Sequence, residues 1–313
     1  AGASAASAED AAGSRQSATA LPDQYPLVGR EKECHFLDGF LERALSPPTA
    51  AAAAAARAAS AAARRAPGGC LYVSGGPGTG KTCSVRHAAR AWQRRSAGTS
   101  ILEVNCMELA QRSPTGLLLR LADLAQARLL LGGGGGAGAS SSLPAVPRSG
   151  PGLVPAVAAR LALLGPSVVV VADEVDQLMG RRPGGAGLEA VFALAKHPAG
   201  PATAFVAIAN AVDLLERSSA TIRAAAVEAC ESLLFQPYAA DQLRSILKAR
   251  LATAGDMGAA AVKALGPVQM EVKVRQVAKR SGDCRQIVCI CEQALFEASA
   301  AAAAAAWRCA RTL

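Results

Sequence analysis

LYVSGGPGTGKTCS, residues 71–84, sets a short apolar run directly before a glycine-rich segment that ends in Lys-Thr. Its centre runs Gly75, Gly76, Pro77, Gly78, Thr79, Gly80, Lys81, Thr82 and fits G-x-x-x-x-G-K-[ST]. A phosphate chain is wrapped by inward-pointing backbone N–H groups, and glycines allow backbone conformations that side chains would block. A helix that starts at the loop's end adds its positive N-terminus. Lys81 then supplies a mobile charge at the β- and γ-phosphates, and the Thr82 hydroxyl can ligate Mg²⁺. Residues 75–83, through Cys83, are the candidate cofactor-binding residues, with ATP and Mg²⁺ as the expected cofactors. The context agrees, since a strand-like run precedes the loop and helical sequence follows it.

VVVVADEVDQL, residues 168–178, reads as the matching half. A buried strand that ends in Asp173 puts a carboxylate at its tip, where it can hold Mg²⁺ through water. Glu174, next in the chain, is the expected general base for an attacking water, and Asp176 reads as a surface or structural carboxylate. A fourth apolar run ends in Asn210, within IAN, where a strand-tip amide can hydrogen-bond a γ-phosphate or the water; otherwise it is a turn residue. SGDCRQ places Arg285 near the start of a helix behind the cap-like Ser281 and Asp283. An arginine there can reach the γ-phosphate; taken alone it reads as a surface charge.

Strand candidates fall at 71–74, 101–105, 168–172, 204–209 and 232–235, alternating with helical or loop sequence. Continuous β-branched runs such as VVVV suit strands covered on both faces, so the fold class is α/β with a parallel sheet. Residues 1–20 are small and polar and are expected to be unstructured. A nucleotide-binding domain is expected over 21–235, opened by a helix starting near Arg30. It is interrupted by an Ala-rich insertion at 46–69 and a Gly/Ser/Pro-rich loop at 132–152. After residue 235 the strand pattern stops. AADQLRSILKARL, QMEVKVRQVAKR and DCRQIVCICEQALFEA predict three amphipathic helices of a lid over 236–298. The Ala-rich tail, 299–313, has no core periodicity.

The chain has 313 residues, a net charge of +9 and nine cysteines without a CxxC pair or Cys/His ligand spacing. The charge permits a polyanionic partner, and the scattered cysteines read as reduced thiols. No long run of bulky apolar residues predicts a membrane span. The opening AGASAASAED, without Met, reads as the start of a fragment.

LVGRE, the phosphate loop, ADEVDQL, IANAVDL, LLFQPYAADQLRSILKARL and SGDCRQ together resemble, in this order, the boxes of the AAA+ initiator ATPases of eukaryotic replication licensing. The resemblance covers roughly residues 26–298. It implies a P-loop NTPase with a five-stranded parallel sheet flanked by helices, plus a small all-α lid. It also implies ATP hydrolysis that is slow without partners, with Lys81, Glu174, Asn210 (sensor 1) and Arg285 (sensor 2) catalytic and Leu27 and Val28 lining the adenine pocket. The implied partners are the origin recognition complex, the minichromosome maintenance helicase and origin DNA, in the nucleus and with no membrane. VNCMEL and DEVDQL look more like the division-control branch of this family, and FQPY leans to the branch of the complex's largest subunit. The helix at 114–131 falls where the family carries extra initiator helices. Arg120 and Arg128 on it are candidate phosphate contacts, or else solvated arginines over a leucine-packed face. Two departures stand out. Arg223 is the only match for an arginine acting on a neighbour's site, and is out of register. The residues after the lid are too few for the family's winged helix, so DNA binding by this chain is expected to be weak. A different class of reading is an ATP-gated assembly module in which hydrolysis is dispensable.

Overall fold

The computed structural model describes residues 27–46, 68–131, 145–178, 188–210 and 230–311. The expectations for 1–20, for Arg223 and for most of 46–69 and 132–152 lie outside them. Helix α1 (Glu31–Leu45) leads to strand β1 (Gly69–Gly75), α2 (Lys81–Arg95), β2 (Thr99–Asn105) and α3 (Pro114–Leu131). Then follow α4 (Leu153–Ala162), β3 (Ser167–Asp173), α5 (Leu188–Ala195), β4 (Ala202–Ile208) and β5 (Cys230–Phe235). The lid is α6 (Ala240–Ala252), α7 (Gly255–Leu265), α8 (Pro267–Arg280) and α9 (Cys284–Arg311).

The five strands pair in the order β2-β3-β4-β1-β5, and every ladder is parallel. The expected α/β class and five-stranded sheet are therefore found. In β3, Val168, Val170 and Ala172 pack under α3, α4 and α5. Val169 and Val171 pack on the other face with α1 and α2. Successive side chains alternate across a strand, so an unbroken apolar run is what burial on both faces requires. Parallel pairing brings the C-terminal ends of the strands to one edge. Gly75 ends β1, Asp173 ends β3, and Asn210 lies just past β4.

Around Leu243, Leu247, Val274, Ile287 and Cys291 the lid builds its own core. It has four helices where the sequence predicts three. The added one, α7, reads GDMGAAAVKAL, and its small residues form too weak an apolar stripe to stand out as periodic. Helices α4 and α5 likewise lie in sequence that the strand pattern alone does not mark. The Ala-rich tail continues α9 through Arg311, while the last residue of the lid core on it is Ala298.

Candidate nucleotide site

The loop between β1 and α2 is held open by neighbours that leave no room for side chains. Gly78 has φ +68°, and a Cβ there would lie 1.6 Å from Asp283 Oδ1; Gly80 has φ +90°, and its Cβ would lie 2.5 Å from Tyr238 Oη. Both residues therefore need glycine for conformation and for space. Helix α2 starts at Lys81 with Gly80 as its N-cap and no side chain capping it. The first N–H groups of α2 are thus left for a ligand, and an anion is the natural one.

Lys81 is buried, and its Nζ donates to Gly75 O (2.8 Å), Gly76 O (2.9 Å) and Asn210 Oδ1 (3.0 Å). Asn210 Nδ2 donates in turn to Glu174 Oε2 at 2.7 Å. Thr82 Oγ1 donates to Asp173 Oδ2 at 2.8 Å. Five sequence-predicted residues, far apart in the chain, thus meet at one sheet edge. Glu174 has φ +58°, the one non-glycine residue with positive φ among the described residues. Its N–H is held by Asp173 Oδ1 at 3.0 Å. A glutamate kept in this costly conformation has its side chain aimed by the fold, which motivates a functional role.

Burial pushes the Lys81 ammonium below the usual lysine range; Asp173 and Glu174 oppose that shift, Arg285 adds to it, and Asp176 opposes it. Asp176 is half-buried, with Oδ1 lacking a hydrogen-bond partner among the described residues. Three carboxylates at the mouth of a phosphate loop leave a negative excess that a divalent cation would relieve. Among the described residues no cluster of three or more His, Cys, Asp or Glu forms a cage. Mg²⁺ needs no such cage, because it binds through one or two side chains and substrate phosphates. Thr82 and Asp173 are the residues that would hold it.

The lid closes on the same loop. Cys284 N donates to Gly78 O (3.0 Å), and Tyr238 N donates to Gly282 O (3.1 Å). Arg285 forks onto Asp283, with Nη2 to Oδ2 at 3.0 Å and Nε 3.2 Å from each oxygen. Asp283 is the chief cause of the raised Arg285 pKa. Pro77 is exposed at the loop's tip, Thr79 Oγ1 donates to Gly76 O at 2.8 Å, and Cys83 is half-buried on α2. Leu27 and Val28 are half-buried just before Gly29, whose carbonyl accepts from Gln242 Nε2 of α6 at 2.8 Å. That bond sets the segment against the lid. Arg120 and Arg128 are not brought to this site. They are exposed on α3, where Arg120 lines a cleft with Glu103, Glu108 and Asp123. Arg128 lines another with Arg90 and Glu103.

Sequence reading missed Arg30 as a site residue. It is 2% exposed and stacks 3.8 Å over the Tyr238 ring. It also donates to Gln236 O (2.5 Å) and to Glu33 Oε1 (2.5 Å). Its box, LVGRE, carries the only signal, and its partners at the sheet–lid junction are remote in sequence.

The sequence model of the ATPase family associated with various cellular activities (AAA) matches residues 71–228. The chain is 31% identical to origin recognition complex subunit 1 of Drosophila melanogaster over 75% of its own length and 23% of that protein's. It is 26% identical to the cell division control protein 6 homolog of Homo sapiens over 88% of its length and 42% of that protein's. A chain in the solved structure of Drosophila ORC bound to DNA superposes with a TM-score of 0.54 at 27% identity, covering 88% of this chain and 57% of that one. The chain thus spans about a quarter to two fifths of the length of these curated relatives.

Proposed function

The chain belongs to the AAA family of ATPases, and from that premise we propose that it binds Mg-ATP between sheet and lid, hydrolyses it slowly, and acts in replication initiation as an origin-licensing factor. The observation that carries the chemistry is the chain of hydrogen bonds Lys81–Asn210–Glu174 beside the Thr82–Asp173 pair. In the proposed reaction Glu174 orients a water for in-line attack on the γ-phosphate and accepts its proton. Lys81 leaves its loop carbonyls for the phosphates, and Arg285 adds positive charge from the lid. Asn210 touches both Lys81 and Glu174 and so ties the water to the phosphate. When bound, Mg²⁺ supplies charge neutralisation on the phosphate oxygens. Leu27 and Val28, set against α6, are assigned to the adenine.

The biological role rests on the relatives, one named for origin recognition and the other for cell division control. We assign the chain to nuclear origin licensing, with the origin recognition complex and the minichromosome maintenance helicase as partners. VNCMEL and DEVDQL favour the division-control branch over the complex's largest subunit. Among the described residues no helix is long and apolar enough to cross a membrane. Contact with origin DNA through Arg120 and Arg128 is the weaker part, because Glu103, Glu108 and Asp123 share their clefts and repel phosphates.

One observation favours the rival, an ATP-gated assembly module. Glu174 is already engaged by Asn210, so the base must be released before it can hold a water. Glu174→Gln separates the two readings. If this is an ATPase, the variant keeps Mg-ATP affinity while phosphate release falls about 100-fold or more. Unchanged release would leave binding without enzymatic use. Lys81→Ala is expected to lose ATP binding, and wild-type protein with no magnesium-dependent ATP affinity would end the nucleotide reading.

A further inference from the structure

Arg285 is on the lid and its side chain is 65% exposed, whereas that of Asp283 is 12% exposed. One partner of this pair is buried in its surroundings, and the other is held at the surface by it. Asp283 is fixed by several restraints at once. Its Oδ1 accepts from the Arg285 backbone N–H at 2.8 Å, so the carboxylate caps α9. Its own N–H reaches Ser281 Oγ at 3.3 Å. The next residue, Cys284, is bonded to Gly78 O at 3.0 Å. The carboxylate also fills the space where a Cβ of Gly78 would stand.

We propose that Asp283 is a positioning residue: locked against the phosphate loop at Gly78, it grips one edge of the Arg285 guanidinium and turns the opposite edge to the terminal phosphate. This rests on the nucleotide-site reading above. A guanidinium carries five N–H donors in a rigid plane. Asp283 takes Nε and one N–H of Nη2. The remaining edge, both N–H groups of Nη1 and the second of Nη2, keeps the fork that matches two phosphate oxygens. An unrestrained, solvated arginine would have to lose its rotamer freedom on meeting ATP, and the grip of Asp283 removes much of that loss beforehand. Gly78 wraps the phosphates while touching the residue that aims Arg285, so a shift of the lid moves both.

The test measures Kd for Mg-ADP and for a non-hydrolysed Mg-ATP analogue on the full chain. Asp283→Asn keeps the volume and an oxygen to cap α9 but loses the ionic grip. It is expected to weaken the ATP analogue roughly tenfold more than ADP, with Tm little changed and no further loss in an Arg285→Ala background. Arg285→Lys, which keeps the charge and leaves the cap intact, is expected to lose the same discrimination. Equal weakening of ADP and ATP would make Asp283 merely structural, and tighter ATP binding would make it a competitor for Arg285. Full additivity with Arg285→Ala, or a discriminating Arg285→Lys, would also overturn the proposal. Wild-type protein that fails to bind Mg-ATP sinks the function itself. Wild-type protein that binds ATP, with Asp283→Asn indistinguishable from it, sinks only this inference.

Discussion

Arg30 is a cation enclosed by the segment that leads from sheet to lid. Its guanidinium lies 3.8 Å from the Tyr238 ring and 5.3 Å from that of Phe235, and it reaches Gln236 O and Glu33. A buried charge persists only when paired and hydrogen-bonded, and the two rings add cation–π attraction. The same enclosure drives the Tyr238 hydroxyl up to about 12, chiefly through burial and against the pull of Arg30. Arg30→Ala would leave Gln236 O without this donor and Glu33 without its ion pair. It is expected to cost about 3–5 kcal/mol in urea unfolding. Arg30→Lys should recover only a minor part, since an ammonium cannot stack as the planar fork does. Gly78→Ala is the sharper lesion for function. Its Cβ would collide with Asp283 at φ +68°, so ATP binding should fall with a much smaller loss of Tm than Arg30→Ala causes. Nucleotide titration beside thermal melting would show the split. The contrast marks what can be read from sequence. Lys81 and Thr82 are legible because the motif fixes their geometry within a few residues. Asp173 and Glu174 are legible because a strand tip carries them there. Arg30 and Asp283 act through contacts with residues about 200 positions away, and no local pattern encodes such a contact.

Elements were legible in proportion to how strongly their burial forces a pattern. Strand β3 is enclosed on both sides, so its valine run announces it; α7 turns only Gly258, Ala261 and Leu265 fully inward, and small residues at those positions leave little periodicity to find. Helix α9 shows the converse. Its apolar positions Ile287, Cys291, Ala294 and Ala298 belong to the lid core, and beyond them Ser299, Ala300 and Ala303 are exposed. Alanine's helix propensity favours a helical continuation through this Ala-rich stretch. Deleting residues 299–313 should therefore move Tm by no more than about 2 °C, measured by circular dichroism; a large drop would mean that the extension packs on something. Between α6 and α8, Arg244 bonds both oxygens of Glu271 at 2.9 Å, and Arg275 adds a third bond. Arg244, then Arg275, holds the Glu271 carboxyl down at about 2. A carboxyl depressed by folding stabilises above its usual range, and that contribution disappears as pH falls from about 4.5 towards 2. The group is well solvated, so the effect is small. Glu271→Gln should flatten that limb of the acid-unfolding curve by slightly lowering stability at pH 7, with little change near pH 2.

At the scale of the whole molecule, the proposed ligand site is also the joint between two cores. Gly78 meets Asp283 and Cys284, Gly80 meets Tyr238, and Gly29 meets Gln242, so the phosphate loop and the segment before α1 both rest on the lid. A ligand gripped by Lys81 from the sheet side and Arg285 from the lid side binds only when both cores are folded and docked. Linkage then makes binding energy into stability shared by the two. At free Mg-ATP about 100 times Kd the gain is about 2.7 kcal/mol, or roughly 5 °C in Tm for a chain of this size. Differential scanning calorimetry with Mg-ATP should show this as an upward shift of the whole transition, absent in Lys81→Ala. A sheet domain that shifted alone, with the lid melting separately and unmoved, would mean that the nucleotide is held from one side. Arg285 would then have no part in binding, and the lid could not report whether ATP is present.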